Sequence, residues 1–140
     1  MKKATLSLFA AVLMATTAIN AQNPTPAIRS IQEYIFFNIR SAKIQASEYD
    51  KIECVVKFLK DYPDANITIT GFADAKTDNH KRNMKYSQKR ADKLKKLLTG
   101  KYSIDPSRIT TDAKDDTMQP FVENEKNRLA IVTGEVRILP

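Results

Sequence analysis

The segment that most constrains the fold is Gly71–Ala91, which predicts a strand end, a polar loop and the start of a helix. The five residues before it, 66–70, alternate apolar and polar side chains, as is typical of a half-buried β-strand. A helix is expected at 82–99, where apolar residues recur at helical spacing. The pattern therefore places a carboxylate, Asp74, at the end of a strand and a guanidinium, Arg90, on the following helix.

Four further elements flank this segment. β-prone runs predict strands at Tyr34–Ile39 and Arg108–Thr111, and apolar periodicity predicts a helix at Ser47–Asp61. A final strand, or a strand pair around Gly134, is expected at Asn127–Ile138. Ser47 is expected to cap its helix, with Asp50 as the partner in a capping box. The order β-α-β-α-β-β predicts an α+β fold in which two helices pack on a mixed sheet.

The N-terminus has the layout of a secretory signal peptide, expected at 1–21. Lys2 and Lys3 precede a short apolar run, and Ala21 offers a small residue for cleavage; a retained membrane anchor is the alternative. Cleavage would leave 119 of the 140 residues and lower the net charge from +7 to +5. An extended leader is expected at 22–33, one domain at 34–140, and no membrane span after cleavage.

Two residue counts argue against catalytic and metal sites. Cys54 is the one cysteine, so no internal disulfide is possible, and it is expected to be a packed helix residue. His80 is the one histidine, and an acid–base pair with Asp74 would lack any nucleophile motif. We therefore expect no enzyme activity, no metal and no cofactor.

Arg90 is unusual for its place on the predicted helix. A helical wheel gives a buried stripe at Met84, Ser87, Ala91, Leu94 and Leu98, and an exposed basic stripe at Lys85, Lys89, Lys93 and Lys96. Arg90 falls among the apolar positions, where a guanidinium is costly unless its donors are satisfied. Two interpretations stay open. Asp74 and Arg90 form a structural ion pair, or they stand apart and hold the ammonium and the carboxylate of a zwitterion.

The residues Gly71–Asp74 (Gly-Phe-Ala-Asp) and Asn83–Ala91 (Asn-Met-Lys-Tyr-Ser-Gln-Lys-Arg-Ala) form a combined motif. It resembles the pattern of the OmpA-like domain family, the peptidoglycan-binding module also found in Pal and MotB. Residues 35–38, 102–109 and 127–128 resemble, respectively, the family's opening strand, the link to its third strand and the start of its last strand. The resemblance covers about 34–136.

The resemblance implies the same β-α-β-α-β-β fold and noncovalent binding of peptidoglycan. In the family, the aspartate and the arginine bind the free amino-acid end of diaminopimelate in the stem peptide. Carried over by position, these residues are Asp74 and Arg90, and the matched segments imply Asn83 and Asn38 as further ligand-binding residues. Together with the signal peptide, the resemblance implies a free-standing periplasmic module of a Gram-negative cell, at the outer membrane or the cell wall.

Three departures from the family pattern bear on the ligand pocket. Asp78 and Asp115 stand where glycine is common, and Arg40 stands where an acidic residue is frequent. They leave open a degenerate module that keeps the fold and binds an envelope protein partner. A second alternative is binding of an anionic polymer by the lysine stripe. Nucleic acid is not an expected partner of a secreted protein.

Overall fold

The computed structural model describes residues 25–140, and the expected signal peptide lies outside them. A first compact unit consists of residues 29–136, and the described residues 25–28 and 137–140 fall outside it. The first unit contains both helices, the core and the candidate site described below. Within the described residues, no helix has the length and apolar character needed to cross a bilayer.

The described residues follow the order β-α-β-α-β-β, which confirms the predicted fold class. The elements are β1 (Ala27–Phe36), α1 (Tyr49–Asp61), β2 (Asn66–Gly71), α2 (His80–Gly100), β3 (Ile109–Ala113) and β4 (Leu129–Ile138), with short 3-10 turns at Ala46–Glu48, Pro106–Arg108 and Asn124–Asn127. One sheet has the strand order β1-β4-β2-β3. Since β2 runs parallel to β3 and antiparallel to β4, the sheet is mixed.

The first strand differs from its predicted bounds. It begins at Ala27 rather than Tyr34 and ends at Phe36 rather than Ile39. The prediction rested on the continuous apolar run, whereas 27–33 is mostly polar. β1 lies at the edge of the sheet, and an edge strand with an exposed face carries polar residues between its inward-facing ones.

Two other local predictions are also corrected. Ser47 lies inside the 3-10 turn Ala46–Glu48, and the residue before α1, Glu48, makes no side-chain capping bond, so no capping box forms. Gly134 does not mark a turn, because β4 runs through it as one strand. A Cβ at Gly134 would lie 2.8 Å from the Cγ2 of Ile67, so close approach to β2 explains this glycine.

One hydrophobic core fills the space between the helices and the sheet. It is built from residues of α1, α2 and the strands, among them Ile35, Ile52, Val55, Leu59, Ile67, Ile69, Ala91, Leu94, Leu98, Ile109 and Val132. The predicted stripe of α2 is buried apart from Met84, which is half-buried. Cys54 is exposed, not packed as expected, because α1 turns it away from the buried Val55 and Val56.

The end of β2 and the second turn of α2 touch through their backbones. A Cβ at Gly71 would overlap the carbonyl oxygen of Ser87, so no larger residue fits there. Ser87 is small as well, and its hydroxyl donates back to the carbonyl of Asn83 at 3.2 Å. This contact fixes where the next turn of α2, which carries Arg90, meets the loop that follows β2.

Candidate functional site

The four predicted binding residues lie on three segments that converge beside this contact. Asn38 follows β1, Asp74 follows β2, and Asn83 and Arg90 belong to α2. The structure joins Arg90 to the backbone of Asn38 and places Asn83 against the loop after β2. Among the described residues, Asp74 and Arg90 form no ion pair with each other. The structural ion pair that the helical wheel left open is therefore wrong.

The guanidinium of Arg90 is buried, with 1% of the residue exposed, as the helical wheel predicted. Its Nε donates to the carbonyl of Ser41 at 3.0 Å, its Nη1 to that of Phe72 at 2.9 Å and its Nη2 to that of Asn38 at 3.3 Å. Two aromatic rings flank it with centroids at 5.6 Å, those of Phe37 and Tyr86. Three backbone carbonyls from two loops therefore orient the side chain.

These contacts leave the charge of Arg90 without a counter-ion in direct contact. Within residues 25–140, no carboxylate lies at ion-pair distance from it, and one N–H on each terminal nitrogen has no hydrogen-bond partner. Burial lowers the pKa of Arg90 to about 10, so the group stays charged at neutral pH. A buried cation with two free donors is suited to a ligand carboxylate, which accepts both.

The carboxylate of Asp74 is buried and fully engaged by neighbouring donors. Arg128 Nε lies 2.8 Å from its Oδ2, and Oδ1 accepts from Lys76 N and Asn124 Nδ2, both at 3.1 Å. The hydroxyl of Thr77 lies 2.5 Å from both oxygens. A carboxylate has about four acceptor positions, and here four donors face them. Asp74 therefore organises the surrounding loops besides supplying negative charge.

The protonation of Asp74 follows from two opposing effects. Burial raises the pKa of this carboxyl, but hydrogen bonds from Thr77, Arg128 and Asn124 outweigh burial and hold the pKa below its usual range. The carboxylate is therefore ionised at neutral pH.

Sequence reasoning missed the partner loop that completes the environment of Asp74. Asn127 is buried and orders that loop, since its Oδ1 accepts from Phe121 N at 2.8 Å and its Nδ2 donates to Phe121 O at 2.9 Å. This places Asn124 and Arg128 against the carboxylate. The one sequence signal for this loop was that residues 127–128 resemble the start of the family's last strand. That resemblance assigned no role to Asn124, Asn127 or Arg128.

Asn83 contributes an unpaired acceptor. It is 1% exposed, and its Nδ2 donates to Asp78 O at 3.0 Å and to Asp116 Oδ2 at 2.9 Å. Its Oδ1 is buried and has no partner in the described structure. Buried acceptors are rarely left unpaired, so this oxygen is suited to a donor brought by a ligand.

The other oxygen of Asp116 contacts the imidazole of His80, with Nδ1 at 2.7 Å. The hydrogen bond and the charge of Asp116 raise the pKa of His80. Hydrogen bonds from Asn83 and His80 lower the pKa of Asp116. The loop after β3 is thus tied to the start of α2.

Two departures from the family pattern, Arg40 and Asp78, bind each other. Arg40 Nε lies 3.0 Å from Asp78 Oδ2, and its Nη2 donates to Thr77 O at 3.4 Å. Arg82 Nη1 lies 3.6 Å from the other oxygen of Asp78. The negative charge of Asp78 is thus balanced by two arginines, and Arg40 joins the loop after β1 to the loop after β2.

The side chains of Asn38 and Asp115 make local contacts within their own loops. The side chain of Asn38 is exposed and accepts from Gln45 Nε2 at 3.2 Å, so Asn38 reaches Arg90 through its carbonyl alone. Asp115, where glycine is common in the family, accepts from the backbone N and the hydroxyl of Thr117 and so closes the turn after β3.

Comparison with known protein sequences gives a family and relatives. The model of the OmpA family matches residues 36–130. Outer membrane protein 40 of Porphyromonas gingivalis is 33% identical over 111 residues, which are 79% of this chain and 29% of the relative. Outer membrane protein 41 of the same organism is 32% identical over 104 residues, 74% of this chain and 26% of the relative. The chain thus spans less than a third of either curated relative.

Solved structures share the fold at low sequence identity. The peptidoglycan-associated lipoprotein from Burkholderia pseudomallei superposes with a TM-score of 0.67 at 18% identity, covering 72% of this chain and 88% of its own. The OmpA-like domain of FopA1 from Francisella tularensis gives 0.67 at 20% identity, with 83% and 77% covered. Since the family model spans most of the sequence and the fold agrees, the chain belongs to the OmpA family.

Proposed function

We propose that this domain binds cell-wall peptidoglycan noncovalently, through the zwitterionic end of diaminopimelate in the stem peptide, in the periplasm. OmpA-like domains are peptidoglycan-binding modules and not enzymes. The observation that carries the proposal to this chain is the buried guanidinium of Arg90, which has no carboxylate partner in the described structure.

In this proposal, the ligand carboxylate accepts from the two free N–H groups of Arg90. The three carbonyls on the same guanidinium hold it in place, so little side-chain freedom is lost on binding. Each hydrogen bond to a charged group contributes about 1.5–3 kcal/mol. A few such bonds, less the cost of immobilising the ligand, suggest a single-site dissociation constant of roughly micromolar order.

The ligand ammonium has two acceptors in this proposal. The free Oδ1 of Asn83 takes one of its hydrogens, and the negative charge of Asp74 attracts it. Because donors fill the acceptor positions of Asp74, the ammonium replaces one of the two neutral side chains there, the hydroxyl of Thr77 or the amide of Asn124. Arg128 keeps its place and prevents Asp74 from turning toward Arg90.

The test of the site is a pull-down with purified sacculi. Arg90→Lys keeps the charge and most of the stem but loses the two-pronged donor, so we expect at least tenfold weaker binding. The matched control is Arg108→Lys. Arg108 also donates to backbone carbonyls, those of Leu59, Tyr62 and Ala65, but these lie at and just after the C-terminal end of α1. Loss of binding in both variants, or in neither, would contradict the site assignment.

The chemistry of the ligand is tested by competition. Free diaminopimelate should displace the protein from sacculi, because it carries both charges on one carbon. Pimelate lacks the amino groups and 1,5-diaminopentane lacks the carboxylates, so neither should compete at the same concentration. If pimelate competes equally well, the site recognises a carboxylate alone. If wild-type protein does not bind sacculi, the proposal is wrong, and binding of an envelope protein partner becomes the favoured function.

A further inference from the structure

A groove apart from this site lies between α2 and the segment that joins β1 to α1. It consists of two adjoining cavities of about 380 and 470 Å³, which share Lys43, Lys93 and Lys96 as lining residues. The apolar lining of the first cavity is formed by Ile44, Tyr49 and Leu97, and the second adds Ala42. Neither Asp74 nor Arg90 lines it. We propose that this groove binds an acidic peptide segment of a partner protein that carries one apolar side chain.

The groove has an excess of unpaired positive charge. Five lysines line it, and the ammonium groups of four of them have no ion-pair or hydrogen-bond partner within residues 25–140: Lys43, Lys89, Lys93 and Lys96. The fifth, Lys101, stands over the rings of Tyr49 and Tyr102 at 5.1 and 5.4 Å. The acid in the lining, Asp92, accepts from Gln88 Nε2 at 2.8 Å. The groove therefore attracts carboxylates.

The spacing of the lysines fits an extended chain. Lys89, Lys93 and Lys96 follow each other one turn apart on the same face of α2. Like charges at such spacings destabilise a helix, and no acidic side chain of the described structure pairs with them. From Lys89 to Lys96 the helix rises about 10 Å, a length that about three residues of an extended peptide span. Two or three peptide carboxylates could thus pair with this row.

The apolar lining distinguishes a peptide from other anions. Ile44 is buried, and Tyr49 and Leu97 are half-buried, so this lining exposes little apolar surface for insertion into a flat bilayer. Single-stranded nucleic acid prefers open rings for stacking, whereas the ammonium of Lys101 covers the ring of Tyr49. An apolar peptide side chain can enter the cavity and reach all three.

Fluorescence anisotropy with two labelled pentapeptides tests the proposal. One has the sequence Asp-Glu-Phe-Glu-Asp, and the other has serine in place of phenylalanine. We expect the phenylalanine peptide to bind at least fivefold more tightly, and Lys93→Glu/Lys96→Glu to weaken it at least tenfold. The control is Lys60→Glu/Lys85→Glu, an equal change of charge at exposed lysines outside the groove, which should weaken binding less than threefold.

Each alternative occupant gives a different result. Equal binding of the two peptides would overturn the peptide proposal in favour of a simple polyanion. Binding to anionic phospholipid vesicles that is tighter than binding to the phenylalanine peptide, and that Lys93→Glu/Lys96→Glu abolishes, would identify a membrane surface as the occupant of the groove. Equal effects of the groove and control variants would show that net charge alone is responsible. Because Lys93 and Lys96 make none of the contacts of Asp74 or Arg90, the Lys93→Glu/Lys96→Glu variant tests peptide binding separately from peptidoglycan binding.

Discussion

The carboxylate of Asp74 is paired with Arg128, 54 positions further along the chain, at 2.8 Å. This pairing leaves Arg90 without a carboxylate at ion-pair distance within the described residues, although Asp74 and Arg90 belong to the same candidate site. The same pair holds the loop before β4 against the loop after β2. Asp74 thus has a structural role in addition to the binding role that the resemblance implies.

Arg128→Ala is expected to destabilise the fold by about 2–4 kcal/mol, because it leaves a buried carboxylate without its cation. Arg128→Lys should lose less, since it keeps the charge. Urea unfolding measures both differences. A change below about 0.5 kcal/mol for the alanine variant would contradict this account of the pair.

Gly71→Ala is expected to destabilise by more than about 3 kcal/mol, because the new Cβ overlaps a backbone oxygen of α2 that no rotamer can move away. Gly100→Ala is the matched control. A Cβ there meets no atom within 4 Å, so the control should be neutral or stabilising by up to about 1 kcal/mol. Thermal and urea unfolding of the two variants compare them directly. Similar stabilities would show that β2 and α2 separate easily.

Arg40 has φ of +49°, a backbone conformation that favours glycine. Arg40→Gly relieves this strain by about 1 kcal/mol and loses an exposed ion pair worth up to about 1 kcal/mol, so we expect nearly unchanged stability. Arg40→Ala loses the ion pair and keeps the strain, so it should be less stable than the glycine variant by about 1 kcal/mol. Urea unfolding tests the order, and an alanine variant as stable as the glycine variant would contradict it.

The contact between His80 and Asp116 predicts a pH dependence. Because the pKa of His80 is raised above its ordinary value of 6.5, its contribution to stability is complete below that pH and is lost as the pH rises through the folded value. The lowered pKa of Asp116 gives a contribution that is complete above 3.8 and is lost on acidification below it. The pair is therefore strongest between these two values.

NMR titration of the imidazole Cε1–H measures the pKa of His80 directly. Asp116→Asn should move it down toward the ordinary value, while Asp112→Asn, an acid that pairs with Lys114, should leave it in place. An unchanged titration in Asp116→Asn would show that the contact does not persist in solution.

Local pattern was sufficient to predict α2 and the burial of Arg90, because helical periodicity assigns residues to faces. It was not sufficient for the partner of Asp74. The loop 114–127 brings Arg128 to Asp74, and its apolar residues recur at no regular spacing. Contacts between segments so far apart in the sequence leave no local signal. The start of β1 was missed for a related reason, since an edge strand with polar outward residues lacks a continuous apolar run.

The backbone contact between Gly71 and Ser87 separates two features of the candidate site, its geometry and its surrounding charge. It fixes where Arg90 lies relative to the loop after β2, and that position depends on main-chain atoms rather than on side chains. The ion pair of Arg40 and Asp78 takes no part in this contact and affects the charge between the loops after β1 and β2. Substitutions of Arg40 or Asp78 can therefore change the charge beside the candidate site, while the position of Arg90 stays the same.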